Sequence, residues 1–402
     1  MKIGYWYKVE LNQKGSYLAN MVFFCSFAKK GIIQYFLKEN LVLINKRVLI
    51  MDISISKVEK SRISEFDKSN IKFGKLYADH MLVADYEDGQ WQTPSIIPFG
   101  NITMSPAISS IHYGQSIFEG IKAYKNHKGE VSIFRPSENF KRFNISAKRM
   151  AMPEIPSSIF IDGMKKLIDL DSAWVPDIEG ASLYIRPFMF ATDEFIGIRP
   201  AGKFRFMIIN SPAGAYYNQP AKIFVQSNYV RAFKGGTGFA KAAGNYAAAM
   251  LPLMELKEKG YDQNLWMDGV HHKYIHEIGT MNVLFVIGNK VVTPDLSEGT
   301  ILAGITRDSV LTLLREKGVT VEERPVTIDE VKEAYLNGEL KEAFGAGTAA
   351  VIAPIEELFY DGLSMTLPPL DQWEISNWVA KRLADIRYGN IEDTHHWMEG
   401  IK

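Results

Sequence analysis

The stretch GGTGFAKAAGNYAAA, residues 235–249, places one charged side chain, Lys241, among glycines and alanines. Small residues allow a flat ligand to approach the backbone closely. A lysine in an apolar setting gives up its proton more readily, and it can then act as a nucleophile or form a Schiff base. The alternative for this stretch alone is a glycine-rich surface loop with a solvated lysine, which is the commoner state of the residue.

A Schiff-base lysine implies a carbonyl cofactor, and pyridoxal phosphate is the usual one. Such a cofactor requires an acid at its pyridine nitrogen, a phosphate cradle and a group on its ring hydroxyl. Glu277 lies in the apolar tract IHEIGTMN, where a carboxylate is costly unless a cation such as a pyridinium faces it. Two segments could cradle the phosphate: residues 303–306 (AGIT), which precede a predicted helix, and the glycine-containing turn at residues 344–350 (FGAGTAA).

Neither glycine-rich segment fits a nucleotide-binding motif. The turn FGAGTAA lacks the third glycine of a dinucleotide fingerprint. In GGTGFAK, Ala240 precedes the lysine where a P-loop has glycine, and Ala242 follows where Ser or Thr must bind magnesium. The sequence therefore argues against nucleotide binding at both places.

Composition limits the classes of partner. Lys plus Arg and Asp plus Glu both number 46, so no overall field favours nucleic acid or an anionic membrane, and any bound phosphate must be held by local groups. Cys25 is the sole cysteine, which excludes an internal disulfide and a multi-cysteine zinc site and is typical of the cytoplasm. The histidines at positions 271, 272, 276, 395 and 396 are not spaced as a ligand set, so no metal is expected.

A chain of 402 residues exceeds the size at which one core usually stops growing, and about two domains are expected. Residues 1–50 are interpreted as an extension of uncertain status: their apolar stretch, residues 18–36, is interrupted by Lys29-Lys30-Gly31 and is too short to span a bilayer. We predict a smaller α/β domain over residues 51–211, a Pro/Gly-containing linker over 212–220 and a larger α/β domain over 221–402. The absence of a regular βαβ rhythm favours a mixed α/β fold.

Local patterns place the candidate residues on elements. A helix is predicted over residues 138–152 with Ser137 as N-cap, and it carries Arg142 and Arg149 off its apolar face. A second helix, residues 246–259, should follow the glycine-rich stretch, and a third, residues 306–316, should have Thr306 as N-cap. A buried strand is predicted over residues 204–209. These patterns alone do not choose between Arg142 and Arg149 as a phosphate ligand.

Seven segments occur in the order found in one family. They are IHYGQSIFEGIKAY, RPSENFKRF, LYIRPF, GTGFAKAAGNY, HEIGTMN, AGITRDSV and EAFGAGTAA. From about Phe73 onward the chain resembles the branched-chain amino acid aminotransferases, pyridoxal phosphate enzymes of fold type IV with a D-amino acid aminotransferase-like fold. The resemblance implies reversible, ping-pong transfer of the amino group of leucine, isoleucine or valine to 2-oxoglutarate, giving glutamate and a branched-chain 2-oxo acid. It also implies a homodimer.

The resemblance assigns the cofactor-binding residues. Lys241 would be the Schiff-base lysine and the general base at the substrate Cα, and Glu277 would hold the pyridine nitrogen. Tyr246 would contact the ring hydroxyl. The phosphate would be held by Arg142, Ile305, Thr306 and Thr348.

The substrate-binding residues follow in the same way. Tyr113, Arg186 and the backbone amides at Thr348 and Ala349 would bind the substrate carboxylate, while Phe118 and Tyr184 would line the side-chain pocket. From residue type alone, Tyr113, Phe118 and Tyr184 could equally be core aromatics. Residues 195–198 (FIGI) resemble a loop lent to the neighbouring subunit. Some family members carry Cys-x-x-Cys after the GxGTA turn; here the residues are Ala-Val-Ile-Ala, so thiol regulation of that kind is not expected.

Two other activities of the same fold remain open, D-amino acid aminotransferase and aminodeoxychorismate lyase. A non-catalytic binding protein is a further alternative from a different class. Against it stands the presence of Lys241, Glu277, Tyr246 and Arg142 together.

Overall fold

The structure is a computed structural model that describes residues 52–214, 219–279 and 281–402, together with two short strands nearer the N-terminus. The chain divides into two compact units, residues 1–50 and residues 51–402. In the first, β1 (Val9–Leu11) and β2 (Tyr17–Ala19) pair antiparallel, with Val9 opposite Ala19. The rest of the predicted extension, including its apolar stretch, lies outside the described residues.

The second unit contains the remaining strands. They are β3 (Ser54–Ile55), β4 (His80–Glu87), β5 (Gln90–Trp91), β6 (Ser95–Pro98), β7 (Ser116–Phe118), β8 (Ile121–Lys125), β9 (Val131–Phe134), β10 (Ser182–Ala191), β11 (Phe204–Ala213), β12 (Ala221–Val225), β13 (Gln263–Met267), β14 (Ile275–Ile278), β15 (Asn282–Ile287), β16 (Lys290–Thr293), β17 (Thr320–Glu323), β18 (Leu340–Gly347), β19 (Val351–Tyr360), β20 (Leu363–Thr366) and β21 (Met398–Gly400).

The helices of the same unit are α1 (Ser109–Tyr113), α2 (Pro136–Arg149), α3 (Gly163–Leu170), α4 (Ala243–Ala247), α5 (Met250–Glu258), α6 (Ile305–Glu316), α7 (Ile328–Leu336) and α8 (Ile375–Arg387). Short 3-10 turns lie at Ile63–Glu65, Ser172–Trp174 and Leu370–Gln372, and one π-helical turn lies at Ser158–Asp162. None of the helices in the described part of the chain has the length and apolar character needed to cross a bilayer.

Two sheets organise the second unit. The first has the order β21-β9-β8-β10-β11-β4-β6-β3, with β5 beside β4 and β7 beside β10, and is antiparallel except where β3 meets β6. The second has the order β14-β13-β12-β19-β18-β15-β16-β17, with β20 beside β19. It is mixed, because β12 runs parallel to both β13 and β19, and β16 runs parallel to β17. The architecture is therefore mixed α/β, as predicted.

Apolar side chains of helices cover both sheets. On the first sheet, Phe143 of α2 packs edge to face against Phe206 of β11, and Phe160 packs against the same ring in a tilted arrangement. A second cluster joins Phe134 of the first sheet and Leu284 of the second to buried residues of α6 and α8. The two sheets therefore share part of their core.

Three helix boundaries differ from those predicted. Helix α2 begins at Pro136 and its N-cap is Arg135 at φ 48°, so Ser137 as N-cap was wrong; its hydroxyl donates instead to Glu399. Helix α6 begins at Ile305 with Gly304 as N-cap, which places Thr306 in the first turn and not at the cap. The single helix predicted over residues 246–259 is two helices, α4 and α5.

The predicted strand over residues 204–209 is longer than expected. Strand β11 continues to Ala213, with Pro212 opposite Leu183 and Ala213 opposite Ser182 of β10. The first two residues of the predicted linker therefore belong to a strand. The division of residues 51–402 into two domains stays a prediction.

Candidate active site

A cavity of about 350 Å³ is lined by residues of both sheets and of the loops between them. Every predicted site residue except Tyr113 lines it. Tyr113 ends α1 with 44% of its surface exposed, outside the lining of this cavity. The arrangement brings together side chains from sequence segments that lie far apart.

Lys241 is anchored to the first sheet although its sequence follows β12. Its backbone N–H donates to the hydroxyl oxygen of Ser146 on α2 at 2.9 Å, and its carbonyl accepts from the N–H of Phe118 at 3.1 Å. Ala242 forms a bridge with Ile117 of β7. With the backbone held, Nζ reaches into the cavity, donates to the Tyr246 hydroxyl at 2.9 Å and lies 4.9 Å from the centre of the Phe118 ring.

The glycine-rich loop before Lys241 is braced by one buried side chain. Asn245 of α4 donates through Nδ2 to the carbonyls of Thr237 and Ala240, at 2.8 and 2.9 Å, and its oxygen accepts from the Thr237 hydroxyl. Gly238 also has no room for a Cβ, which would meet the Thr300 carbonyl. The loop conformation is thus fixed on both sides of the lysine.

Glu277 on β14 is a buried carboxylate that lines the same cavity. Burial raises its pKa, and the nearby guanidinium of Arg231, 2.8 Å away, opposes that rise. The backbone N–H of Leu302 donates to the other carboxylate oxygen at 3.2 Å. A carboxylate held in this way is a suitable partner for a further cationic N–H group entering the cavity.

Arg142 on α2 forms a bidentate ion pair with Glu119. Its Nε and Nη2 atoms each donate to the Glu119 carboxylate at 2.7 Å, and Nη1 donates to the carbonyl of Ala303 at 2.8 Å. Burial pushes the pKa of Glu119 upward, but the charge and hydrogen bonds of Arg142 outweigh it and hold the pKa below its usual value. Since a guanidinium has five N–H donors, Arg142 keeps donors for an anion.

The two segments predicted to cradle a phosphate, residues 303–306 and 344–350, line the same cavity as Arg142. Ile305 and Thr306 are the first two residues of α6. The backbone N–H groups in the first turn of a helix have no partner inside the helix, and they therefore favour an anion. Thr348 and Ala349 follow β18 and line the same cavity. A Cβ at Gly304 would collide with Asn282, so the close approach at the helix start requires glycine. The two segments form one cradle.

Another part of the cavity wall consists of the aromatic rings of Phe118 and Tyr184 and one cationic side chain, Arg186. The Arg186 guanidinium lies 4.7 Å from the centre of the Phe118 ring and 5.2 Å from that of Tyr184, and it donates to the Tyr184 hydroxyl at 2.9 Å. A Cβ at Gly120 would collide with this hydroxyl. This wall can accept an apolar side chain and also offers a positive charge.

Residues 116–358 match the model of a protein family described as Amino-transferase class IV, which is more than half of the chain. The chain belongs to the class IV aminotransferases. A Staphylococcus aureus (strain MRSA252) protein named probable branched-chain-amino-acid aminotransferase is 48% identical over 336 residues, covering 82% of this chain and 93% of that protein. The Bacillus subtilis (strain 168) branched-chain-amino-acid transaminase 1 is 43% identical over 336 residues, covering 82% and 94%.

Among solved structures, the branched-chain amino acid aminotransferase from Thermobaculum terrenum in its PLP form matches this aminotransferase with a TM-score of 0.65 and 26% identity. The match covers 81% of this chain and 98% of that chain. The predicted mixed α/β fold of type IV and the predicted resemblance to branched-chain aminotransferases are confirmed by these relatives.

Several residues that line the aminotransferase cavity or support its lining were missed from sequence. Arg231 and Asn282 flank Glu277, Glu119 orients Arg142, and Phe73 contacts Tyr184 edge to face at 4.8 Å between ring centres. Glu119 lies beside Phe118 in the FEGIKAY segment, so its place in a motif was a usable signal. Arg231 lies in no motif, because it reaches Glu277 only through folding. Among the described residues, no cluster of His, Cys, Asp or Glu is arranged to hold a metal.

Proposed function

We propose that this class IV aminotransferase moves the amino group of leucine, isoleucine or valine reversibly to 2-oxoglutarate in two half-reactions, with pyridoxal 5'-phosphate as cofactor. The proposal rests on one observation: Lys241, Tyr246, Glu277 and Arg142 all line the same cavity. The names of the Staphylococcus and Bacillus relatives support the branched-chain substrates.

The residues present fit pyridoxal phosphate. The cavity volume, about 350 Å³, suits a small cofactor plus substrate. Glu277 would hold the pyridinium, Tyr246 the ring hydroxyl, and Arg142 with the α6 start and Thr348 the phosphate. Gly304 supports the fit independently, since a Cβ there would push Asn282 away from the cradle.

When bound, the cofactor supplies an electron sink for bond changes at the amino acid Cα. Lys241 Nζ then takes the proton from that carbon and returns it, acting as general base and acid. The hydrogen bond from Nζ to the Tyr246 hydroxyl directs the amine. Because the Lys241 backbone is fixed at both its N–H and its carbonyl, the amine works from a defined position.

The aromatic wall supports a substrate that is apolar in one half-reaction and acidic in the other. Phe118 and Tyr184 would contact an aliphatic side chain, and Arg186 would pair with a carboxylate of 2-oxoglutarate. The backbone amides at Thr348 and Ala349 would bind the α-carboxylate. Since one methylene in such a pocket is worth only about 1–3 kcal/mol, we expect all three aliphatic amino acids to react.

We further propose a homodimer located in the cytoplasm. The FIGI loop and α1 expose apolar side chains, with Ile198 94% and Ile196 68% exposed. A second copy seated on this surface would cover them and bring Tyr113 and the loop toward the partner's cavity. The cytoplasmic location rests on the single cysteine, Cys25.

The test replaces Lys241 with alanine and measures leucine-dependent glutamate formation together with visible absorbance from lysine-bound cofactor. We expect both to be lost. Lys234→Ala is the matched control, because Lys234 immediately precedes the same stretch but forms an exposed ion pair with Glu298. Normal turnover by Lys241→Ala would refute the assignment. Wild-type turnover of D-alanine but not leucine would select the D-amino acid alternative.

A further inference from the structure

A second, water-sized cavity lies directly behind the phosphate cradle. It encloses about 10 Å³, which is room for one water molecule. Gly120, Ile305, Thr306 and Thr348 line both this cavity and the large one. Its other side is lined by two cations, Lys122 of β8 and Arg387 of α8.

Lys122 is buried, with 7% of its surface exposed. Its Nζ donates to the carbonyl oxygen of Ala349 at 3.0 Å. Among the described residues no carboxylate lies within ion-pair distance of Nζ. Burial, and then the positive charge of Arg387, lower the pKa of Lys122 to about 7. A nearby anion would reverse that tendency and keep the ammonium charged.

Arg387 is also buried, with 5% of its surface exposed. Its Nε has no hydrogen-bond partner, and no carboxylate of residues 52–214, 219–279 or 281–402 pairs with its guanidinium. The guanidinium lies 4.2 Å from the centre of the Phe134 ring and 5.8 Å from that of Tyr124. A buried guanidinium without a counter-charge is costly, so an anion that binds nearby would offset that cost.

Arg142 would donate to the phosphate directly, but its positive charge and those of the other arginines of the large cavity are largely committed elsewhere. Arg142 is neutralised by Glu119, and Arg231 is neutralised by Glu277. Arg186 lies at the aromatic wall, beside Phe118 and Tyr184. A phosphate monoester near neutral pH carries close to two negative charges. Lys122 and Arg387 are the cations at the cradle that no carboxylate in the described part of the chain neutralises.

We propose that Lys122 and Arg387 form a second layer of positive charge behind the phosphate cradle, and that they hold a bound phosphate monoester as its dianion through one water in the small cavity. The two residues act as positioning residues, because they work through the water and through the Ala349 turn. C-terminal helix α8 thereby takes part in cofactor binding. The proposal rests on the proposed function only for the identity of the ester.

The first test compares pyridoxal phosphate with pyridoxal, which lacks the phosphate. Lys122→Gln keeps a donor for the Ala349 carbonyl but removes the charge, and Arg387→Met removes the guanidinium. We expect each variant to bind pyridoxal phosphate about tenfold more weakly, with pyridoxal binding unchanged. Lys122→Arg should restore affinity. Lys381→Met, an exposed change on the same helix, should have no effect. Equal losses for both ligands, or no loss, would overturn the proposal.

The second test uses the wild-type protein, so it does not depend on a variant folding. Phosphorus NMR of bound pyridoxal phosphate, titrated across pH, should show the phosphate staying dianionic at least about one pH unit below the free ester, whose second pKa is about 6. The titratable groups of the two cavities that could influence this titration are Arg142 with its partner Glu119, Lys122, Tyr124, Tyr184, Arg186, Arg231, Lys241, Tyr246, Glu277 and Arg387. A bound phosphate that titrates like the free ester would overturn the proposal.

Inorganic phosphate separates this proposal from the proposed function. If leucine transamination is absent but Lys122→Gln still weakens inorganic phosphate binding to the apoprotein about tenfold, the charge layer is supported and the proposed function fails. If transamination is normal and phosphate binding does not depend on Lys122 or Arg387, the function stands and the charge layer is refuted.

Discussion

Arg231 is the main group that favours the charged form of Glu277. Burial raises the pKa of Glu277, and the Arg231 guanidinium at 2.8 Å is the strongest influence against that rise. Arg231 also donates to the carbonyls of Gly238 and Thr300. It therefore connects the carboxylate to the loop that carries Lys241.

We predict that Arg231→Met raises the pKa of Glu277, so that the carboxyl is protonated over a wider pH range and no longer pairs with a pyridinium. The kcat should fall about 10- to 100-fold, with the deepest loss at low pH and partial recovery as pH rises. A pH profile of kcat measures this. Arg315→Met, which breaks an exposed ion pair with Glu323, is the control. A pH-independent loss would contradict the explanation.

At the residue scale, sequence predicted those side chains that carry a local signal. Lys241, Glu277 and Thr348 stand out because small or apolar neighbours surround them. Nothing local distinguished Arg142 from Arg149. Folding does: Arg142 is buried against Glu119, whereas Arg149 is exposed and donates to the carbonyls of the glycine-rich loop. Arg231 and Arg387 were missed for the same reason, since only tertiary packing determines their surroundings, whereas Lys122 lies in the FEGIKAY segment and, like Glu119, had a motif signal.

Among the elements, the connection between β13 and β14 is ordered by one carboxylate. Asp268 accepts backbone N–H groups of Val270, His271, Lys273 and Tyr274 at 2.7–3.1 Å. Burial alone would raise its pKa, but these four donors outweigh burial and lower the pKa to about 2. The turn holds β14, and with it Glu277, against β13.

Because the folded-state pKa of Asp268 lies below its unfolded value, its ionised form stabilises the fold above about pH 4, and this stabilisation is lost as pH falls toward 2. We predict that Asp268→Asn lowers the free energy of unfolding by about 2 kcal/mol at pH 7. The difference from wild type should shrink as pH falls. Urea unfolding at several pH values measures it, and Asp361→Asn, in the exposed β19–β20 turn, is the control. A difference that does not change with pH would exclude this origin.

The hydrophobic pattern of the sequence predicted which segments are helices and which are strands, but it predicted their boundaries less accurately. The predicted strand over residues 204–209 and the predicted helix over residues 306–316 are present as β11 and α6, and each differs from the prediction at one end only. The helix after Lys241 was predicted as one segment, yet Pro252 lies inside it. Proline has no N–H and is tolerated only in a first turn, so α5 begins anew at Met250. That signal was present in the sequence and was not used.

For the whole molecule, the exposed apolar surface on α1 and the FIGI loop is the feature that an isolated chain does not explain. Ile111 is 61% exposed and Ile198 94% exposed. The bridge between Ile108 and Glu194 places the start of α1 beside this loop, and exposed apolar side chains grouped in this way mark interaction sites. A second copy is the proposed occupant, since Tyr113 would then be brought toward a substrate.

We predict that Ile198→Asp shifts the protein from dimer to monomer, because burying a carboxylate at the interface without a partner is unfavourable. Light scattering after gel filtration measures the mass, and the activity should fall with the dimer fraction. Leu336→Asp, at an isolated exposed position on α7, is the control. A monomeric wild type, or an Ile198→Asp dimer of unchanged stability, would contradict the prediction.

The order of strands could not be read from the sequence. Strand β12 lies between β13 and β19, and β21 at the C-terminus completes the sheet formed by the first half of the chain. Hydrophobic pattern identifies strands but does not pair distant ones. The mixed α/β class was predictable because it depends on the kinds of element present and not on their pairing.

The anchoring of Lys241 also determines how the gene for this protein could be recombined. The lysine is encoded after residue 220, but its backbone is held by Ser146 and Phe118, which are encoded before it. In a chimera of two homologues with the crossover between β11 and β12, Lys241 would come from one parent, and Ser146 and Phe118 would come from the other. A crossover placed after Ala242 would keep the lysine, Ser146 and β7 from a single parent, although the sequence there has no linker.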